Sequence, residues 1–131
     1  MNFRDIYFAI EVSKLYKLAM DNGGFTVQFD GKRFNHYSKA RGYSVSLPEF
    51  EVRATELASA YIFAGIIKGL EEARQEQEDP ASYWVGGWKD GDMLYFDISA
   101  IYSNRQEAIS AAKTGGQLAI FNFKTMQVER I

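Results

Sequence analysis

The chain contains no cysteine. Disulfides, iron–sulfur clusters and thiolate zinc sites are therefore excluded. It has a single histidine, so multi-histidine metal sites and chemistry needing a second imidazole are excluded too. Neither sign of charge dominates: 15 Lys and Arg stand against 17 Asp and Glu, a net −2. That balance argues against duplex DNA binding by bulk electrostatics and against DNA mimicry. Long apolar runs are missing. The longest uncharged stretch in the central helix candidate, Leu57 to Ile67, falls far short of the ~20 residues a membrane span needs. The opening MNFRDIYFAIEVSK has neither a cationic leader nor a small-residue cleavage site, which argues against a signal peptide. These absences set the expectation of a cytoplasmic protein with no membrane contact and no metal or cofactor.

What is present is apolar and aromatic. Of 131 residues 47% are hydrophobic and 15% aromatic, with ten Phe, eight Tyr and two Trp. A chain of this size buries roughly two thirds of its unfolded surface, enough for one core without staples. The expectation is one domain over residues 1–131, with a hinge candidate at 75–81. Residues 1–53 carry eight basic and six acidic side chains, and residues 54–131 carry seven and eleven, so the charge is split along the chain.

Periodicity supplies the elements. Apolar residues at Ile6, Ala9, Ile10, Leu15, Leu18 and Ala19 predict a helix over 4–21, with Asp5 as N-cap and Asn22-Gly23-Gly24 as stop; the run Ile6–Val12 also fits a strand. Phe25, Val27 and Phe29 alternate with polar residues and lead into Asp30-Gly31, a hairpin signal. Tyr43–Leu47 reads as a strand ended by Pro48. The strongest helix runs from Thr55, as N-cap, to about Gln77. Leu57, Tyr61, Ala64, Ile67 and Leu70 form its apolar stripe, and its acidic second half, Glu71–Asp79, is expected in solvent. Tyr83–Trp88 and Met93–Ser99 flank the turn Lys89-Asp90-Gly91-Asp92. Ser103 or Asn104 caps a helix over 105–113, and strands follow at 118–123 and 126–129. The predicted order is α-βββ-α-ββ-α-β, an α+β domain with a mainly antiparallel sheet and two or three packed helices.

Three places carry candidate chemistry. Residues 32–43, KRFNHYSKARGY, interleave Lys32, Arg33, His36, Lys39 and Arg41 with Phe34, Tyr37 and Tyr43. Cations there suit phosphate and rings suit base stacking; the plainer reading is a solvated loop. Gly86-Gly87 lies inside a strand between Trp84 and Trp88. It reads either as a stacking or partner surface or as a bulge beside two core tryptophans. Asp90 and Asp92 are turn residues, while Asp97, alternating with Phe96 and Ile98, faces outward or pairs with a base. Asp97 and His36 are the acid–base candidates, each without a visible partner. Gly65 and Gly69 on the long helix suggest close helix approach and a homodimer contact through 55–77; the alternative is a helix sandwiched in its own core.

The pieces GGFTV (23–27), GYSVSL (42–47), YWVGGW (83–88) and LYFDIS (94–99), together with Glu107-Ala108 and the stretch to QLAIF (117–121), resemble small accessory proteins of bacteriophages and actinobacterial genomes. The likeness covers about 23–131, and its motifs are turns, strand aromatics and a helix–strand junction rather than catalytic signatures. It implies a counter-defence or host-takeover factor. Three functions follow in order: a non-enzymatic binder that occludes a host defence protein or complex, anti-CRISPR-like; a protein that sequesters a phosphate-bearing nucleotide signal; and an acid–base enzyme. The binding residues expected are Lys32, Arg33, His36, Tyr37, Lys39, Arg41, Tyr43, Trp84 and Trp88.

Overall fold

A computed structural model describes residues 2–55 and 59–131. Three helices and eight strands follow one another as α1 (Phe3–Asn22), β1 (Gly24–Phe29), β2 (Phe34–His36), β3 (Tyr43–Ser46), β4 (Val52–Thr55), α2 (Ala60–Gln75), β5 (Tyr83–Asp90), β6 (Met93–Tyr102), α3 (Arg105–Thr114), β7 (Ala119–Asn122) and β8 (Gln127–Arg130). The expected α+β class is correct. All pairings are antiparallel, in the order β2-β1-β5-β6-β3-β7-β8, with β4 also on β6. Strands from both sides of the 75–81 junction are neighbours in this one sheet.

The helix starts differ from the periodic reading because capping is a local hydrogen bond that periodicity does not see. Asn2, not Asp5, caps α1: its Oδ1 accepts from the Asp5 N–H at 2.9 Å. Ser59, not Thr55, caps α2, accepting from the Ile62 N–H at 3.2 Å. Thr55 instead ends β4, a strand the alternation did not announce. The Leu57 member of the stripe lies outside the described residues. Tyr61, placed on the same stripe, is 88% exposed, whereas Phe63, Ile67 and Leu70 carry the buried face. That face continues into charge. Glu71 and Arg74, expected in solvent, are 3% and 5% exposed. Both Glu71 carboxylate oxygens accept from Arg74 Nε at 2.9 Å, and Oε1 also accepts the Phe29 N–H at 2.8 Å. Arg74 Nη1 donates to the Pro80 carbonyl at 2.7 Å. The pair thus fastens α2 to β1 and to the chain just before β5, and among the described residues no fully buried side-chain polar atom is left without a partner, the condition under which buried charge is tolerated.

All three helices pack on one face of the sheet. Register puts Phe25, Val27, Val85, Phe96, Ile98 and Val45 on that face. Phe63 of α2 meets Phe25, Phe96 and Tyr16 edge-on, and Phe8 of α1 meets Phe29 and Phe34. Ala108 and Ala112 of α3 close over Val45 and Ile120. The other face is left to the polar half of each strand's alternation.

Two irregularities shape that uncovered face. Between the Ser46–Ser99 and Val52–Phe96 pairs, residues 47–51 stand opposite only Asp97 and Ile98. Pro48 cannot donate to the ladder, and a single 3₁₀ turn over Pro48–Phe50 takes up the excess chain. Second, residues 37–42 carry the chain from edge strand β2 past β1, β5 and β6 to β3, a span of ~19 Å at about 4.8 Å per strand. They cross on the uncovered face as a strap. Tyr37 packs against Trp84 and Phe123, at ring separations of 5.3 and 4.5 Å. Its hydroxyl donates to the Arg41 carbonyl at 2.6 Å, and the Phe123 N–H donates to the Gly42 carbonyl at 3.0 Å.

Candidate functional site

The uncovered face holds a basin of about 860 Å³, in the range of ligand-binding clefts. Thr26, Gly86, Asp97, Ser44, Ser46 and Ser99 line its floor; the strap residues 37–40 stand at one end, and Trp88, Tyr95 and Arg53 at the other. The β7–β8 side contributes Phe121, Lys124, Met126 and Val128.

The floor follows from strand period two. Trp84, Gly86 and Trp88 all point to the uncovered side of β5, with Ser99, Asp97 and Tyr95 as their partners on β6. Two indoles ~13 Å apart, at about 3.3 Å per residue, therefore flank a position with no side chain. Asp97 fills that gap. A Cβ on Gly86 would lie 2.5 Å from Asp97 Oδ1. Gly87, one residue on, serves the other face, where a Cβ would lie 2.4 Å from the Phe25 ring. The glycine pair is thus no bulge, since β5 and β6 pair residue for residue through it; each glycine admits one side chain from its own side.

The Asp97 carboxylate accepts hydrogen bonds from the hydroxyls of Ser46 and Ser99. Desolvation is the largest influence on it and raises its pKa above the ordinary 3.8; the two hydroxyls pull the other way, and the nearby Glu51 carboxylate adds to the rise. Glu51 is held at the basin rim by Gln117 Nε2, which donates to Oε1 at 3.2 Å. Beside Asp97, Trp88 and Tyr95 stack at 4.6 Å with their planes 17° apart, and the Arg53 guanidinium covers Tyr95 at 5.5 Å. Trp88 remains 50% exposed.

The residues singled out from the sequence separate. Lys32 and Arg33 sit on the β1–β2 turn, where their backbone N–H groups donate to Asp30 Oδ1 at 2.9 Å each and their side chains are exposed. Those two N–H donors hold the Asp30 carboxyl below its ordinary value. Neither Lys32 nor Arg33 lines the basin. His36, Tyr37 and Lys39 border both the basin and a smaller hollow behind the strap. Arg41 and Trp84 belong to that smaller hollow, Trp88 to the basin. Burial also raises the Tyr37 phenol pKa. Tyr43 packs against Val45 and the α3 alanines, on the helix side. The two tryptophans are therefore on one face but in different hollows, and neither is a core residue. His36 and Asp97 both line the basin, but β1 and β5 lie between edge strand β2 and β6, a separation of ~14 Å at about 4.8 Å per strand, so the two acid–base candidates do not meet. Gly65 and Gly69 lie on the solvent side of α2 with Tyr61 and Ile62.

Ser46, Ser99 and Glu51 are the residues that the linear reading passed over. The signal for the slot was nevertheless in YWVGGW: Trp84, Gly86 and Trp88 are spaced two apart, so a gap between two indoles on one face follows from strand geometry alone.

The fold and the basin define a general class, an antiparallel sheet covered by helices on one face and concave on the other. Compared with family models, curated proteins and solved structures, the chain matches none. Among the described residues no helix is long and apolar enough to cross a membrane, and no group of three or more His, Asp or Glu side chains is placed to hold a metal ion.

Proposed function

We propose that this chain is a non-enzymatic binding protein that docks a protein partner on the uncovered sheet face and works by covering it. The single observation that carries the reading is the basin itself: a concave, aromatic-walled hollow at the centre of the only large sheet face that no helix of the described residues covers. Aromatic side chains and Arg at the rim are the usual anchors of such contacts. The half-exposed Trp88 and the Arg53–Tyr95 contact have that character. Read with the resemblance to phage accessory proteins, the partner is a host defence protein or complex.

Two features weigh against the other readings. A nucleotide sponge needs a floor that accepts phosphate, but Lys32 and Arg33 stand outside the basin, and the floor inside its rim of Lys39, Arg53 and Lys124 carries the Asp97 carboxylate. An acid–base enzyme built on Asp97 and His36 needs the two groups within reach of one proton, and β1 and β5 lie between the strands that carry them.

Phage plating tests the proposal. A panel of hosts, each with one active defence system, is infected with and without the expressed chain. Wild-type chain is expected to raise plating on one of them, and Trp88→Ala to abolish the effect at equal expression. Tyr61→Ala, on the solvent side of α2, is expected to protect like wild type. No rise on any host, or equal protection by wild type and Trp88→Ala, overturns the reading.

A further inference from the structure

The Asp97 carboxylate raises a question that the basin's shape alone does not answer. It lies in the gap between two indoles, sheltered from water, with two hydroxyl donors and a second acid, Glu51, nearby. Among the described residues no Lys or Arg forms an ion pair with it. The nearest basic candidate by register, Arg53, is turned onto the Tyr95 ring. Lys39 and Lys124 stand on the basin lining with no ion pair to this group. Glu71, a second sheltered carboxylate, is matched by Arg74 at two oxygens and by a backbone N–H. Glu71 completes its own charge balance within the fold; Asp97 does not.

A carboxylate carries about four acceptor sites, of which two hydroxyl donors use only part. The ladder is also interrupted at this row: residues 47–51 leave the sheet opposite Asp97, so no strand lies over that flank. One row away, about 7 Å along the strands, the Trp88 ring presents its outer face. A ring face next to an unmatched carboxylate is the arrangement that receives a flat cation, one end hydrogen-bonded and the plane stacked. Guanidinium suits it better than ammonium, because it is planar, forks to two carboxylate oxygens and loses less hydration on entry.

Resting on the protein-docking reading above, we propose that the partner inserts an arginine side chain into the basin beside Asp97, pairing it with that carboxylate and stacking it on Trp88. The basic rim, Lys39, Arg53 and Lys124, then meets acidic or polar residues around that arginine on the partner. The bound arginine supplies the countercharge that Asp97 lacks within the fold.

The probes are small. N-acetyl-arginine-amide, its lysine counterpart and the neutral isostere N-acetyl-citrulline-amide are titrated into the full chain, following the indole N–H of Trp88 and the amide of Gly86 by NMR. Saturable arginine binding is expected, at least tenfold tighter than citrulline, with lysine between them. Asp97→Asn is expected to weaken arginine binding at least tenfold, and Trp88→Leu to weaken it with the Asp97 contact retained. Thermal denaturation of both variants confirms that they fold; Ser46→Ala, which removes one hydroxyl donor and leaves the carboxylate, provides a second route if Asp97→Asn does not, and is expected to retain the preference for arginine over citrulline. Equal binding of arginine and citrulline, the same affinity in wild type and Asp97→Asn, or no saturable arginine binding overturns the arginine assignment. Phage plating separates the two claims: protection that survives Asp97→Asn removes the arginine anchor and leaves protein docking standing, whereas arginine binding without protection on any host does the reverse.

Discussion

The two faces of β5 are one residue apart and opposite in character. On the helix side, Val85 and Gly87 lie under Phe25 and Phe63, in a packing of rings that leaves no room for one further methyl group. On the uncovered side, Trp84, Gly86 and Trp88 frame an acid held by two serines. Adjacent glycines serve both. The comparison shows that the same backbone feature, a missing Cβ, closes a core on one face and opens a cleft on the other, according to what the neighbouring strand delivers.

Changes on the helix side are expected to cost the most. Arg74→Ala leaves the Glu71 carboxylate buried without its cation and should lower stability by about 3–5 kcal/mol. Phe63→Ala should cost a similar ~3–5 kcal/mol, as it empties the meeting point of Phe25, Phe96 and Tyr16. Urea midpoints at unchanged slope measure both; losses under ~1 kcal/mol would show that the helix layer is not what holds the sheet.

The glycine pair gives the middle of the scale. Gly87→Ala drives a methyl group into the Phe25 ring, itself confined by Phe63, and should cost about 1–3 kcal/mol. Gly86→Ala meets instead the end of a short carboxylate facing a cavity. It should cost less stability than Gly87→Ala and more arginine binding. Equal effects of the two in denaturation and in the NMR titration would erase the distinction drawn between the faces.

Trp88→Ala is smaller again, within about 1 kcal/mol in denaturation, since the indole is half in solvent. The smallest effect concerns pH. The folded pKa of Asp97 lies above its unfolded value, so the folded state binds that proton more tightly. Its contribution to stability is complete below the ordinary 3.8 and is lost as pH rises through the raised value. Asp97→Asn should therefore stabilise the chain slightly at neutral pH and remove this part of the pH dependence. Asp30 works with the opposite sign: its lowered pKa gives a contribution present above the unfolded value and lost as pH falls through the folded one. Melting temperatures of Asp97→Asn and Asp30→Asn from acid to neutral pH separate the two; a destabilising Asp97→Asn at neutral pH would contradict the desolvation argument.

Much of this was written in short-range pattern. Alternation in Phe25–Phe29 and in Met93–Ser99, with turn dipeptides after them, made the hairpins legible, because strand period and turn chemistry are local. It also showed that Asp97 points away from Phe96 and Ile98. The β4 strand was not legible: Val52–Thr55 is four residues long and acquires its meaning only by pairing with β6. Tyr61 misled for a related reason. The apolar stripe of α2 is wide, and which part of it is buried depends on where Phe25 and Phe96 lie.

The amino-acid order by itself determined the class of fold, the run of helices and strands apart from β4, and the gap between two indoles in YWVGGW, all through spacing within a few residues. The tertiary structure alone decided that Ser46, 51 residues away, reaches Asp97. It alone sent residues 37–42 across the uncovered face and set Glu71 and Arg74 inside rather than in solvent. These outcomes hang on contacts between segments far apart in the chain, whose strength depends on desolvation and shape, and neither exists until the sheet has closed around them.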